Sequence, residues 1–279
     1  MVIVTGKRAL VLGGGGVTGI AWETGILHGL AEQGVDLSSA DLFVGTSAGS
    51  VVAAELAGGG VLASLYASQL LPPDGEIPAR LTSWMVLRYA LSYLGPGSPA
   101  AKRARLGRAA VKASTPSEES RLAVFDSRLS IKDWPSRDLK VTAVDVGSGE
   151  FVAFDRDSGV PLVSAVASSC AVPLVWPPVS VGGRRYMDGG MRSVANVDLA
   201  AGYERVVVVA PLTRSANLAA TPGAQAAKLG VPFVVVSPDR AALGAIGSNL
   251  LDPARRRAAA EAGFAQAGAV VEAVRSVWG

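Results

Sequence analysis

The sequence predicts an α/β fold: a central, mainly parallel sheet flanked by helices in three layers, with a helical cap inserted over its loop side. Three observations carry this expectation. Two strand–turn–helix units open the chain, residues 8–12 running into four glycines and residues 41–45 running into Ser47. Val206–Ala210 and Phe233–Val236 are short, apolar, valine-rich runs, the pattern of parallel strands covered on both faces. Strand and helix alternate at both ends, and no linker or repeat divides the chain, so residues 1–279 read as one domain.

In order, Arg8–Leu12 is the first strand, and a helix is expected from after Gly19 to about Gln33, with Gly34 as its stop. The second strand leads to Ser47 and a helix reaching about Leu56. Residues 61–120 differ in character and form the expected cap. Within it, Pro72-Pro73-Asp74-Gly75 reads as a turn, residues 79–94 as an apolar helix, and 116–119 as part of a polar loop. The run Lys102, Arg103, Arg105, Arg108 and Lys112 reads as a solvated helix face, with contact to anionic headgroups as the alternative. Leu139–Val146 with Glu150–Phe154, and Val175–Val181 with Arg184–Met187, are hairpin signals joined through glycines. Pro161–Cys170 is a buried helix, and Asp252-Pro253 opens the last one.

Composition excludes several classes. Hydrophobic residues make up 49% of the chain and charged residues 18%, which argues against disorder. A net charge of +3 is too mild to imply nucleic acid. Cys170 is the single cysteine, so an internal disulfide and a multi-cysteine metal site are both ruled out, and a packed core thiol is expected. No secretory signal is visible at residues 1–12, and prolines interrupt the uncharged stretch Val160–Gly183. The expectation is a cytoplasmic protein, with peripheral membrane contact left open and the oligomeric state undetermined.

The chemistry centres on Gly45-Thr46-Ser47-Ala48-Gly49. A strand before it and a helix after it favour a sharp turn that lifts a nucleophilic hydroxyl out of the sheet, over a plain Gly-Ser loop. Gly14-x-Gly16-x-x-Gly19 satisfies a dinucleotide fingerprint, with Asp36 at about the separation of a ribose-binding acid. Asp36, however, precedes the second strand, and a serine elbow follows on that strand. Bare amides that receive a developing oxyanion are the better reading.

A serine nucleophile needs a base. His28 is the only histidine, and at ~1.5 Å per residue it lies more than about 13 Å along its helix from the glycine turn. It reads as a surface or packing residue, which makes a Ser-His-Asp triad unfavourable. Asp188, before Gly189-Gly190, is the candidate carboxylate, although an aspartate in that setting is also an ordinary turn residue. To act as a base it has to be screened from water, because a carboxylate near its ordinary pKa of about 4 is a weak one.

Gly13-Gly14-Gly15-Gly16-Val17-Thr18-Gly19, Gly45-Thr46-Ser47-Ala48-Gly49 and Asp188-Gly189-Gly190, in that order, resemble the patatin-like phospholipases. Ala167-Ser168-Ser169 with Pro173 looks like a further family segment. The resemblance implies a Ser47–Asp188 dyad, an oxyanion hole from the backbone of Gly14, Gly15 and Gly16, hydrolysis of lipid acyl esters, and no metal or cofactor. Thr18 departs from the pattern, since members often carry arginine there; its effect would fall on headgroup preference and not on the dyad. Trp84, Met85 and Leu87 are the expected acyl-chain contacts. The rivals are a non-catalytic nucleotide- or acyl-ligand-binding protein and a hydrolase of soluble esters or thioesters.

Overall fold

The computed structural model describes residues 6–73, 78–213 and 218–279; Asp74 and Gly75 of the expected turn lie outside them. Strands β1 (Arg8–Leu12), β2 (Leu42–Gly45), β3 (Asp138–Asp145), β4 (Phe151–Phe154), β5 (Val179–Val181), β6 (Arg184–Asp188), β7 (Arg205–Val209) and β8 (Phe233–Val236) form one sheet. The pairing order is β5-β6-β3-β2-β1-β7-β8, with β4 also paired to β3. The centre is parallel, from β3 through β2, β1 and β7 to β8, while β4, β5 and β6 pair antiparallel. The α/β class is therefore as expected.

Helices α1 (Gly16–Glu32) and α2 (Ala48–Ala57) follow the first two strands. Then come α3 (Leu62–Leu70), α4 (Ser83–Leu94), α5 (Pro99–Val111) and α6 (Glu118–Arg128), all before β3. The rest are α7 (Leu162–Ser169), α8 (Pro222–Ala227), α9 (Arg240–Ile246) and α10 (Arg256–Trp278). Strand alternation sends Leu10, Leu12, Val207 and Val209 to the face under α1, α2 and α10. Ala9, Val11, Val206 and Val208 go to the other, beneath the 195–200 segment and α8. This period of two is what lets one strand serve two hydrophobic layers.

Three expectations need correction. Helix α1 begins at Gly16, not after Gly19, because the glycine turn itself supplies the helix entry. The polar segment expected as a loop is the start of α6. Ser117 caps it by accepting from the Ser120 amide, and Glu118 and Glu119 sit in the first turn, where the helix dipole favours them. Strand β8 lies at the edge of the sheet, with Phe233 partly exposed, so its valine run is not covered like that of β7.

Register on β3 decides where the site forms. Val141 pairs with Gly45 of β2 and with Phe154 of β4. Ala143 pairs with Val152 of β4 and with Asp188 of β6. Since β4 takes one edge of β3 at both Val141 and Ala143, β2 and β6 must share the other. They meet there head to head, the C-terminal end of β2 facing that of β6.

Candidate active site

Ser47 stands where β2 gives way to α2, with φ 51° and ψ −118°, outside the usual regions for a side chain-bearing residue. The two flanking glycines are required by close approach. A Cβ at Gly45 would lie 2.4 Å from Ser50 Cα, and one at Gly49 would lie 2.2 Å from the Leu12 carbonyl oxygen. The elbow is bonded to its surroundings on several sides. Its Ser47 amide donates to Ser169 Oγ at 2.9 Å, and the Ser47 carbonyl accepts from Ser50 Oγ at 2.7 Å and from Cys170 Sγ at 3.1 Å. Cys170 is thus a buried thiol, as expected, but one that holds the elbow; burial pushes its pKa up to about 12.

Asp188, at the end of β6, is buried and interacts with the Ser47 side chain. Its Oδ1 accepts from the Gly190 amide at 2.7 Å. Burial pushes the carboxyl up to about 6, against the Ser47 hydroxyl and the Gly190 amide, which both favour the charged form. The opposed strand ends on β3 are what bring these two residues together.

The glycine turn lies beside them. Gly14 stands close enough that an added Cβ would sit 3.5 Å from Ser47 Cβ. Its amide is already committed, donating to the Val194 carbonyl at 2.7 Å, so Gly14 does not offer the free donor expected of it. The amides of Gly15 and Gly16, at the entry of α1, have no acceptor among the described residues. Thr18 turns away, its amide and hydroxyl both donating to the Leu250 carbonyl, at 3.1 Å and 3.2 Å. That carbonyl crowds the helix entry, 2.5 Å from where a Gly16 Cβ would be. Asp36 precedes β2 and caps a short turn by accepting from the Ser38 amide, whereas the glycine turn follows β1 at the opposite end of the strands, which weighs against the dinucleotide reading.

His28 packs between Tyr66 and Phe264, with ring centroids 5.0 Å and 5.4 Å away, as a packing residue of α1. The three expected acyl contacts differ in setting. Met85 packs with Val175, Trp176 and Leu251, whereas Trp84 and Leu87 point to solvent.

Sequence reasoning missed two residues. Asn196 is fully buried in the left-handed region at φ 52°. Its Nδ2 donates to Thr46 Oγ1 at 3.0 Å and to the Ser193 carbonyl at 2.9 Å, and lies 3.4 Å from the Gly189 carbonyl. One side chain thereby ties the serine elbow to the aspartate loop. Asn196→Ala is expected to lower kcat/KM by roughly tenfold to a hundredfold, with a stability loss of about 2 kcal/mol from the orphaned partners. Steady-state ester hydrolysis and urea unfolding check both. Glu23 is the second. It is fully buried under the glycine turn, and neither carboxyl oxygen has a partner among the described residues. Burial raises its pKa well above the ordinary value; the nearby Gly13 amide opposes this weakly, since it already donates to Val209. Its position inside α1 carries no sequence mark that separates it from a surface glutamate.

The fold defines an α/β protein with a serine elbow at the carboxyl end of a parallel strand and a buried carboxylate facing it. A family model described as patatin-like phospholipase matches residues 10–201, and the chain belongs to that family of lipid acyl hydrolases. Among solved structures it is similar to VipD from Legionella pneumophila, at 13% identity and a TM-score of 0.49, over 96% of this chain and 67% of that one. It is also similar to the type III effector protein ExoU, at 16% identity and a TM-score of 0.42, over 96% of this chain and 53% of that one, about half its length. No curated protein matches the chain.

Proposed function

We propose that the chain is a serine acyl hydrolase of the phospholipase A or esterase type, acting on acyl esters of phospholipids or related lipids through Ser47 and Asp188. The observation that carries this reading is the buried Asp188 carboxyl interacting with the Ser47 hydroxyl, with its pKa pushed up to about 6. A base that titrates there is ionised at neutral pH yet takes up a proton far more readily than a solvated carboxylate.

Ser47 Oγ attacks the ester carbonyl as its proton passes to Asp188. The carbonyl oxygen becomes an oxyanion received by the amides of Gly15 and Gly16 at the positive end of α1. Collapse of the tetrahedral intermediate breaks the C–O bond, and Asp188 returns the proton to the leaving alcohol. Water, losing its proton to Asp188, then attacks the acyl-enzyme, and the proton passes back to Ser47 Oγ.

The acyl chain has a natural place. Gly16, Val17, Ile20, Ser47 and Ala48 line a cleft together with Phe125 and Trp176. Val17, Ile20 and Arg128 also border a cavity of about 430 Å³ lined by Val51, Val52, Leu65 and Val124. A chain bound at Ser47 would extend toward that space along its Val17, Ile20, Val51, Val52, Leu65 and Val124 wall. The rest of the lining is polar and includes Glu55, Gln69 and Arg256. Val124→Trp, on a partly exposed wall, is expected to reduce turnover of a p-nitrophenyl decanoate roughly tenfold while leaving the butyrate ester unchanged. A chain-length series measures the shift.

Covalent labelling by a fluorophosphonate tests the hydrolase reading itself. The expected result is one adduct on Ser47, absent in Ser47→Ala and retained in His28→Ala. An unlabelled, folded wild type would sink the reading and leave a binding protein in its place.

A further inference from the structure

Helix α4 is amphipathic in an unusual sense, because its more polar face is the one turned inward. Tyr89 OH donates to the Pro173 carbonyl at 2.8 Å and Tyr93 OH to the Met191 carbonyl at 3.1 Å, three residues beyond Asp188. Burial and the nearby Asp188 both raise the pKa of Tyr89, which keeps that hydroxyl protonated as a donor. Opposite this anchored face, Trp84, Leu87, Leu91 and Leu94 form one stripe at helical spacing, exposed by 60%, 54%, 50% and 78%. Four large apolar side chains on one exposed helical stripe mark a surface built for contact.

The charge around the stripe favours an anionic partner. Between Glu76 and Glu118 the chain has seven cations and no carboxylate, although its net charge is only +3. Arg88, Arg105, Arg108 and Lys112 border a depression beside Leu91, and none of them is in an ion pair among the described residues. Arg88 lies over the Trp84 ring, 5.2 Å from its centroid. A second copy is a poor occupant, since a two-fold contact through this face would bring like charges together. A bilayer carrying anionic headgroups offers an apolar layer for the leucines and negative charge for the flanking cations.

We propose that the outer face of α4, with the cations of α5 beside it, docks on an anionic lipid surface. Helix α4 rests on the Pro173 and Met191 loops, so the membrane comes to lie over the serine and aspartate. The choice of lipid as partner rests on the hydrolase reading, but docking is separable from catalysis and is measured without it. The experiment is flotation of the full Ser47→Ala chain with vesicles of phosphatidylcholine alone or mixed equally with phosphatidylglycerol. The expected result is a preference for the mixed vesicles of roughly tenfold or more that weakens as salt rises.

Leu91→Asp with Leu94→Asp should abolish flotation, and Arg108→Glu with Lys112→Glu should erase the preference for phosphatidylglycerol. In chains retaining Ser47, the same substitutions should leave p-nitrophenyl butyrate turnover unchanged, which shows that they fold. Loss of the hydrolase reading would appear as absent turnover in the parent chain, independently of flotation. Absence of flotation on mixed vesicles would overturn the docking proposal. So would flotation that survives Leu91→Asp with Leu94→Asp, or a dimer in sedimentation that those substitutions dissolve without any vesicle binding.

Discussion

Asp188→Asn is expected to abolish ester hydrolysis, by about 10⁴-fold, and at the same time to make the protein more stable. The amide can still accept from Gly190, so the loop geometry survives, but it cannot take the Ser47 proton. The stability gain follows from burial. The Asp188 carboxyl, ordinarily near 3.8, titrates at about 6 in the fold, so ionising it at neutral pH costs about 3 kcal/mol relative to the unfolded chain. A folded-state pKa raised above the unfolded one means that the neutral carboxyl's advantage is complete below about pH 4 and is lost as pH rises through about 6. The variant has no charge to bury. Its excess stability over the wild type should therefore be absent near pH 4 and fully developed above pH 6, which urea unfolding at a series of pH values would reveal. The same titration governs rate. In the wild type, kcat/KM should fall as pH drops through about 6, because only the ionised carboxylate accepts the proton. A rate profile flat from pH 5 to pH 8, or a variant no more stable than its parent at pH 8, would remove Asp188 from the role of base.

The sheet was readable because its signals are local. Val206–Val209 alternates between two hydrophobic layers, and the glycine turn and serine elbow each sit between a strand and a helix, so a short window holds the whole message. What failed was non-local or masked. Ser117 and two glutamates are a helix cap as well as a polar loop, and only the burial of Phe125 behind them decides between the two. Nothing near Asp188 in sequence announces that β6 will share an edge of β3 with β2, because that depends on a register set by β4 on the other side. The Gly14 amide is spent on Val194, 180 residues away in the chain, which spacing within the glycine turn does not reveal. Asn196 is the same case: it reaches Thr46 across 150 residues, and its role is visible only once both loops are in place. The outward face of α4 inverts the usual rule that a helix buries its apolar stripe, so apolar spacing alone does not show that Trp84 and Leu87 are exposed.

Ser47→Ala should likewise remove activity, by roughly 10⁵- to 10⁶-fold, since the elbow's other hydroxyl, that of Thr46, is held by Thr142 and Asn196. Comparison with Ser47→Gly then isolates what the elbow costs the fold. A residue with a Cβ held at φ 51° and ψ −118° stores about 1–3 kcal/mol of backbone strain. Glycine releases that strain but gives the unfolded chain more freedom, worth about 0.5–1 kcal/mol against it. The net expectation is that Ser47→Gly is the more stable of the two inactive variants, by about 1 kcal/mol in chemical denaturation. Equal stabilities, or a more stable alanine variant, would mean that the strain is no larger than glycine's cost in unfolded-chain freedom, about 0.5–1 kcal/mol. Strain at the nucleophile and a buried charge at the base both oppose folding, and both arise from the geometry that brings the pair together. Substitutions that relieve either one should therefore stabilise the chain only by disarming it, whereas those at Asn196, which supports both loops, should lose stability and activity together.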